Sequence, residues 1–168
     1  MTSGAANQYP TLPFEEIRDL EISRVMLSKY LVYLWVPVPL MPWGLACLDA
    51  WGAPYRTALF WRKTGRRGMG FWYRNQMEIL LLGVHGVRPF RCSRENVYAE
   101  RPTTHSHKPD EFYTFIEPYA PRPFLELFAT RLRPEWTSVG YAIGAIPGVA
   151  VTPTRALDVR DWLRGYAS

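Results

Sequence analysis

The nine residues HSHKPDEFY, at positions 105–113, combine two histidines, a lysine and two carboxylates with a proline. Pro109 suits the first turn of a helix, and the carboxylates of Asp110 and Glu111 suit the positive end of the helix dipole. A helix start of this kind, preceded by Lys108, also favours the binding of an anion. The stretch therefore either begins a helix and nothing more, or begins a helix that holds an anionic ligand.

The two histidines of this stretch do not by themselves indicate a metal site. His105 and His107 are two residues apart, with Cys92 nearby in the sequence. A protein site for zinc needs more ligands, at suitable spacing and in a fixed geometry. No serine or cysteine has a recognisable partner base that would mark it as a nucleophile. We therefore expect neither a metal ion nor a catalytic nucleophile.

Basic residues are concentrated in two stretches that follow predicted strands. They are Arg62, Lys63, Arg66, Arg67 and Arg74 in the first stretch, and Arg88, Arg91, Arg94 and Arg101 in the second. Aromatic residues interleave with them, among them Trp72 and Tyr73. Arginine and aromatic side chains together favour phosphate contacts and base stacking. A solvated loop surface, with its aromatics turned into the core, explains the same spacing equally well.

Composition indicates one ordered domain with an anionic partner. The chain has 168 residues, of which 48% are hydrophobic, and a net charge of +5. That excess of positive charge favours nucleic acid as a partner. Two cysteines fit a reducing compartment. The sequence contains no apolar run long enough to cross a bilayer and no secretory signal pattern. We therefore expect a soluble intracellular protein that is not attached to a membrane.

The segments that carry chemistry alternate with predicted strands and helices. Strands are predicted at 30–36, 55–63, 77–84, 124–129 and 137–142, and helices at 12–20, 41–52, 108–119 and 158–166. Gly52 is expected to close the second helix, and Trp162 to anchor the last one. Residues 30–36 are continuously apolar, which favours a parallel strand buried on both faces. Residues 85–107 are predicted to be irregular. The alternation predicts the α/β class, a sheet with helices on its faces.

Several of these segments occur in an order that is familiar from one family. They are YLVYLWV, a helix ending in AWG, a strand ending in FWRK, then GFWYRNQMEILLLGVHG, RPTTHSHKPDEFYTFIEP, LELFATR and PEW. In this order the chain resembles the MT-A (70-kDa-subunit) family of N(6)-adenine methyltransferases, from Tyr9 to Gly140. That family includes eukaryotic mRNA adenosine methyltransferases and DNA-modifying relatives from bacteria and phages.

The resemblance implies a fold, a cofactor and site residues. It implies a Rossmann-like methyltransferase sheet with helices on both faces, and S-adenosylmethionine as the cofactor. Lys108 would contact the cofactor carboxylate, so HSHKPDEFY is interpreted as an inherited cofactor loop. The family has an arginine where this chain has Thr130, and Arg131, which lies beside that position, is expected to contact the cofactor. The residues expected to contact nucleic acid are Arg62, Lys63, Arg66, Arg67, Arg74, Asn75, Arg101 and His105.

Besides Thr130, the chain departs from the family pattern at two places. The 168 residues contain no DPPW, the tetrapeptide that holds the target amino group in the family. Tyr141 and Ala142 replace the family's asparagine and its following glutamine or glutamate. Because it lacks DPPW, the chain is expected to be truncated at its N-terminus relative to the family. Residues 1–142 are expected to form a methyltransferase-like domain, followed by an extension at 143–168.

The strand that carries DPPW in the family lies between the strands equivalent to YLVYLWV and FLELFA. A partner strand, direct closure, or the segment GVAVT at 148–152 would have to complete such a sheet.

Three functions remain open at this point. The chain is either a partner subunit that is inactive alone and acts with a methyltransferase paralogue or another copy of itself, a piece of an active enzyme, or a non-methylating nucleic-acid-binding scaffold.

Overall fold

The computed structural model describes residues 12–65, 72–102, 108–140 and 159–165. The chain divides into two compact units, one formed by residues 26–121 and one by residues 1–25 with 122–168. The elements are α1 (Phe14–Arg18), β1 (Tyr30–Pro37), α2 (Met41–Ala50), β2 (Tyr55–Lys63), β3 (Met77–His85), β4 (Val97–Glu100), α3 (Glu111–Ile116), β5 (Phe124–Leu127), β6 (Trp136–Val139) and α4 (Val159–Gly165), with 3-10 turns at Ile22–Val25 and Val38–Leu40. The predicted boundary at 142/143 lies outside the described residues.

A four-stranded mixed sheet in the order β1-β3-β2-β4 forms the centre of the 26–121 unit. β3 runs antiparallel to both of its neighbours, and β4 runs parallel to β2. The parallel pairing predicted for residues 30–36 is therefore wrong. A continuous apolar pattern reports burial on both faces of a strand, and an antiparallel strand covered on both faces produces the same pattern. The short strand β4 interrupts the stretch that was predicted to be irregular.

Helix α2 covers one face of this sheet. A Cβ atom at Gly44 would lie 2.5 Å from Cγ2 of Val36 and 2.9 Å from Cδ1 of Leu81. These two side chains share a face, because β1 and β3 pair Val36 with Ile79, two residues before Leu81. Glycine therefore allows the α2 backbone to approach the sheet closely.

Helix α3 covers the opposite face. The ring of Phe112, which is buried, meets the ring of Trp35 edge-to-face with 4.7 Å between centroids. Trp35 pairs with Leu80 in the register, so it points away from the face that α2 covers. Helices thus lie on both faces of this sheet. The Rossmann-like order expected from the resemblance stays a prediction.

The end of α2 is held by side chains from two strands. Gly52 has φ +68°, as expected for the glycine that was predicted to close this helix. The hydroxyl of Tyr30 donates to the carbonyl of Trp51 at 2.9 Å. The ring of His85 stacks on Tyr30, and its Nδ1 lies 2.9 Å from the carbonyl oxygen of Gly52. These contacts fix the turn from α2 into β2.

The second unit is built on the parallel pair β5 and β6. Beyond these strands, the amide of Ala129 donates to the carbonyl of Val139 at 3.0 Å. The backbone of Ala129 lies so close to Gly140 that a side chain there would collide with it. The helix predicted over residues 158–166 is observed as α4, where Leu163 is buried and Arg160 pairs with Glu16 of α1. The side chain of Trp162, predicted as its anchor, lies outside the described residues.

Candidate functional site

A carboxylate between two lysines marks the end of the four-stranded sheet where β1 and β2 finish. Lys63 donates to Oε1 of Glu78, and Lys108 donates to Oε2 of the same carboxylate. Glu78 lies at the start of β3, Lys63 ends β2, and Lys108 precedes α3. The three side chains are 20–34% exposed, so solvent reaches the cluster while part of each charged group is desolvated.

Two tryptophans form an aromatic wall behind these charges. The ammonium of Lys108 lies 5.0 Å from the ring centroid of Trp35 and 5.9 Å from that of Trp61. The ammonium of Lys63 lies 4.9 Å from the ring of Trp61. The negative faces of these rings stabilise the ammonium groups. The indole of Trp61 donates to the carbonyl of Glu100 at 3.1 Å, which ties the wall to β4.

The register of the strands explains why these side chains meet. Trp35 pairs with Leu80, and Trp61 pairs with Glu78. Leu80 and Glu78 are two residues apart in β3, so all four side chains lie on one face of the sheet. Lys108 reaches that face because Phe112 anchors α3 on Trp35. We refer to Lys63, Glu78 and Lys108, with Trp35 and Trp61, as the lysine–tryptophan cluster.

Glu78 is ionised in this cluster. Burial pushes the pKa of Glu78 upward, but the attraction of Lys108 and Lys63 and their hydrogen bonds outweigh this effect. The pKa of Glu78 therefore lies below its ordinary value. Two ammonium groups around one carboxylate leave a net positive charge, which favours an anionic ligand at this end of the sheet.

A basic rim lies beside the lysine–tryptophan cluster. Arg62 is exposed on β2, and Arg101, also exposed, follows β4. Because β2 and β4 are parallel, their carboxyl ends meet, and a Cβ atom at Gly65 would lie 3.5 Å from Nε of Arg101. Arg74 is exposed just before β3. We call Arg62, Arg74 and Arg101 the arginine rim.

Comparison with known proteins assigns the chain to a family. The family model described as MT-A70 matches residues 3–142. The chain belongs to the MT-A70 family. The resemblance to this family that the order of sequence segments indicated is thereby confirmed.

Curated proteins named as methyltransferases are similar to this chain. The N(6)-adenosine-methyltransferase subunit METTL3 of Danio rerio is 33% identical over 153 residues, covering 82% of this chain. The catalytic subunit METTL3 of Homo sapiens is 32% identical over 150 residues, again covering 82% of the chain. The Type II methyltransferase M.MunI of a Mycoplasma species is 27% identical over 96 residues, which is 56% of this chain and 41% of that protein. The chain spans 26% of the length of either METTL3 protein.

The structure brings together two lysines that were predicted from the sequence to have different roles. Lys63 was expected to contact nucleic acid and Lys108 to contact the cofactor, and both bind one carboxylate. Asn75 accepts a hydrogen bond from the amide of Met77 at 3.3 Å, so it caps the entry to β3. Arg131 is half-buried and belongs to the second unit. Its predicted contact with the cofactor stays a prediction.

Three of the predicted nucleic-acid residues, Arg66, Arg67 and His105, lie outside the described residues, as does the segment GVAVT. Among the residues that the structure describes, no group of three or more His, Cys, Asp or Glu side chains is arranged to hold a metal ion. Within the same residues, no helix is long and apolar enough to cross a membrane.

Sequence reasoning did not bring Trp35 and Trp61 together in the lysine–tryptophan cluster. Both tryptophans lie in continuous apolar runs, where a core position is the simplest interpretation. The sequence does place Trp35 near the end of one predicted strand and Trp61 near the end of the next, and these strands, β1 and β2, run in the same direction. Using that signal requires the pairing of both strands with β3, which apolar patterns do not specify.

Proposed function

We propose that this chain provides part of the cofactor site and the nucleic-acid surface of an N(6)-adenine methyltransferase. It acts as a subunit or portion of that enzyme, and transfer depends on a further segment that holds the target amino group. The lysine–tryptophan cluster is the observation that carries this proposal. It supplies a net positive charge at the sheet end where Lys108, the residue expected to bind the cofactor, lies.

Lys108 fits the carboxylate of S-adenosylmethionine. It is held by Glu78 and by the rings of Trp35 and Trp61, so its ammonium is ordered before a ligand arrives. An ordered ammonium loses less conformational entropy on binding a carboxylate than a free surface lysine does. When bound, the cofactor supplies an electrophilic methyl group on sulfur. Glu78 acts as a positioning residue that keeps Lys108 in place.

The arginine rim fits the phosphates of nucleic acid. Its members are exposed and lie at one end of the sheet, where Arg62 precedes Lys63 in β2, Arg101 follows β4 and Arg74 precedes β3. Arginine binds phosphate oxygens through paired N–H groups and does not lose its charge at physiological pH. The relatives named as N(6)-adenosine methyltransferases support adenine as the target base.

The segment that holds the target amino group is proposed to pair with β1. Among the described residues, β3 is the only strand hydrogen-bonded to β1, so β1 is an edge of its sheet. This edge is eight residues long and carries no charged side chain. Long apolar edge strands tend to pair with further strands, and natural proteins protect them against wrong partners. A strand bearing the acceptor for the adenine amino group would both cover this edge and complete the site.

Two measurements on the purified 168-residue chain test this proposal. Equilibrium dialysis with labelled S-adenosylmethionine is expected to show binding that K108A weakens and K29A leaves unchanged, since Lys29 is exposed at the opposite end of β1. Methyl transfer to an adenine-containing oligonucleotide is expected to be absent. Transfer by this chain alone would contradict the need for a further segment, and failure to bind both cofactor and oligonucleotide would contradict the proposed role.

A further inference from the structure

We propose that Trp72 and Tyr73 form a platform on which bases of single-stranded nucleic acid stack. This inference rests on the proposed function and adds to it the form of the nucleic acid and the residues that contact its bases. The two residues lie between the basic loop and β3, next to the arginine rim.

The exposure of these two aromatic residues is exceptional within the described chain. Trp72 is 94% exposed and Tyr73 is 90% exposed, whereas the next most exposed large hydrophobic residue, Leu27, is 56% exposed. Neither side chain contributes to a core. Adjacent large aromatics that face water form an apolar surface whose burial by a ligand would be favourable.

The charges around the two aromatics favour nucleic acid as the ligand of this surface. Arg74 and Asn75 follow directly and are exposed, and Arg62 is exposed on the neighbouring strand β2. The buried centre of a protein–protein interface is depleted of charged residues. Surfaces that bind single-stranded nucleic acid combine positive charge along the backbone with aromatic rings under the bases. The arrangement of Trp72, Tyr73 and Arg74 matches this second pattern.

The platform also lies within reach of the lysine–tryptophan cluster. The amide of Lys63 donates to the carbonyl of Gln76 at 2.7 Å, which fixes this end of the segment beside β2. Trp72 precedes Gln76 by four positions, so their backbones are at most about 14 Å apart even in a fully extended chain. Bases held on Trp72 and Tyr73 would therefore lie near the cofactor that Lys108 is proposed to bind.

A comparison of two oligomers tests the stacking directly. The probes are a short oligothymidylate and an oligomer of equal length and charge whose sugars carry no bases. The unchanged chain is expected to bind the first more tightly. W72A and Y73A are each expected to weaken its binding about 5- to 100-fold and to leave the binding of the baseless oligomer unchanged. The slope of affinity against salt should stay the same in both variants, because the same basic side chains still neutralise the phosphates.

Two further variants serve as controls. W72F keeps an aromatic face and is expected to retain most of the affinity for oligothymidylate. Y55A removes an exposed aromatic at the other end of β2 and should bind both oligomers like the unchanged chain.

The outcomes separate the stacking inference from the proposed function. Salt-dependent binding with equal affinity for the two oligomers would overturn the stacking platform and leave nucleic-acid binding intact. Failure to bind either oligomer would overturn both. If W72A alters the oligomeric state in sedimentation without altering affinity for oligothymidylate, the aromatics contact protein and the inference is wrong.

Discussion

Lys108 donates a hydrogen bond to Glu78 across a sequence separation of 30 residues. The bond ties the segment before α3 to the start of β3, and Lys63 completes the cluster from β2 on the other carboxylate oxygen. The helix start at residues 108–111 therefore makes a tertiary contact as well as beginning α3. Its lysine is built into the end of the sheet, where it is ordered by a carboxylate and two aromatic rings.

Replacing Glu78 with Gln should destabilise the chain in a pH-dependent way. At neutral pH, E78Q is expected to lower the free energy of unfolding by about 1–3 kcal/mol, because two partly desolvated ammonium groups lose their counter-charge. The folded-state pKa of Glu78 lies below its ordinary value of 4.5. Its contribution is therefore fully present above that value and is lost as the pH falls through the folded-state pKa.

Urea unfolding of the unchanged chain and of E78Q, at neutral and then at successively lower pH, measures this difference. E95Q, at an exposed glutamate, is the matched control and should unfold like the unchanged chain at neutral pH. A difference between E78Q and the unchanged chain that persists at full size in acid would contradict the assigned charge pairing.

Adding a methyl group at Gly44 should destabilise the packing of α2 on the sheet. G44A places a Cβ atom 2.5 Å from Val36 and 2.9 Å from Leu81, so it is expected to cost about 1–3 kcal/mol of unfolding free energy. G165A is the control, since no described atom outside its own helix backbone and chain neighbours lies within 4 Å of a Cβ atom built there. If G44A is as stable as the unchanged chain in thermal or urea unfolding, the close approach of α2 is incorrect.

The open edge of β1 should be visible in hydrogen exchange. In an antiparallel edge strand, alternate amides bond to the neighbour and the remaining amides face outward. Residues Tyr30–Val36 of the isolated chain are therefore expected to show alternating slow and fast amide exchange by NMR. Uniform protection along β1 would show that a strand already covers this edge, and would contradict the place proposed for the segment that holds the target amino group.

Removing two members of the arginine rim should change the salt dependence of oligonucleotide binding. R62A combined with R74A is expected to weaken binding and to reduce the slope of log affinity against log salt by about 0.7 for each phosphate that an arginine no longer neutralises. R56A is the control, because Arg56 is exposed at the far end of β2. An unaltered slope in the double variant, measured by fluorescence anisotropy, would remove the rim from the nucleic-acid surface.

Local patterns in the sequence predicted most of the elements but not their partners. The strand at 55–63 and the glycine that closes α2 were identified correctly, because residue type and backbone geometry act locally there. The direction of β1 was predicted wrongly, since burial on both faces does not specify the neighbouring strand. β4 was missed because its four residues, VYAE, carry little hydrophobic signal.

The same limit applies to the site. Lys108 was predicted as a cofactor residue through the resemblance of its motif, and the basic residues were predicted as nucleic-acid contacts through their clustering in the sequence; both roles stay predictions. The meeting of Trp35 with Trp61 depends on the register of two strands against β3, which is a tertiary property.

The most direct test of the proposed cofactor role compares S-adenosylmethionine with its decarboxylated analogue by calorimetry. In the unchanged chain, the intact cofactor is expected to bind more tightly than the analogue. K108A should weaken binding of the intact cofactor about tenfold or more, and should leave binding of the analogue unchanged, because only the intact cofactor carries the carboxylate that Lys108 contacts. Equal effects of K108A on both compounds, or no effect on either, would contradict the claim that Lys108 binds the cofactor carboxylate.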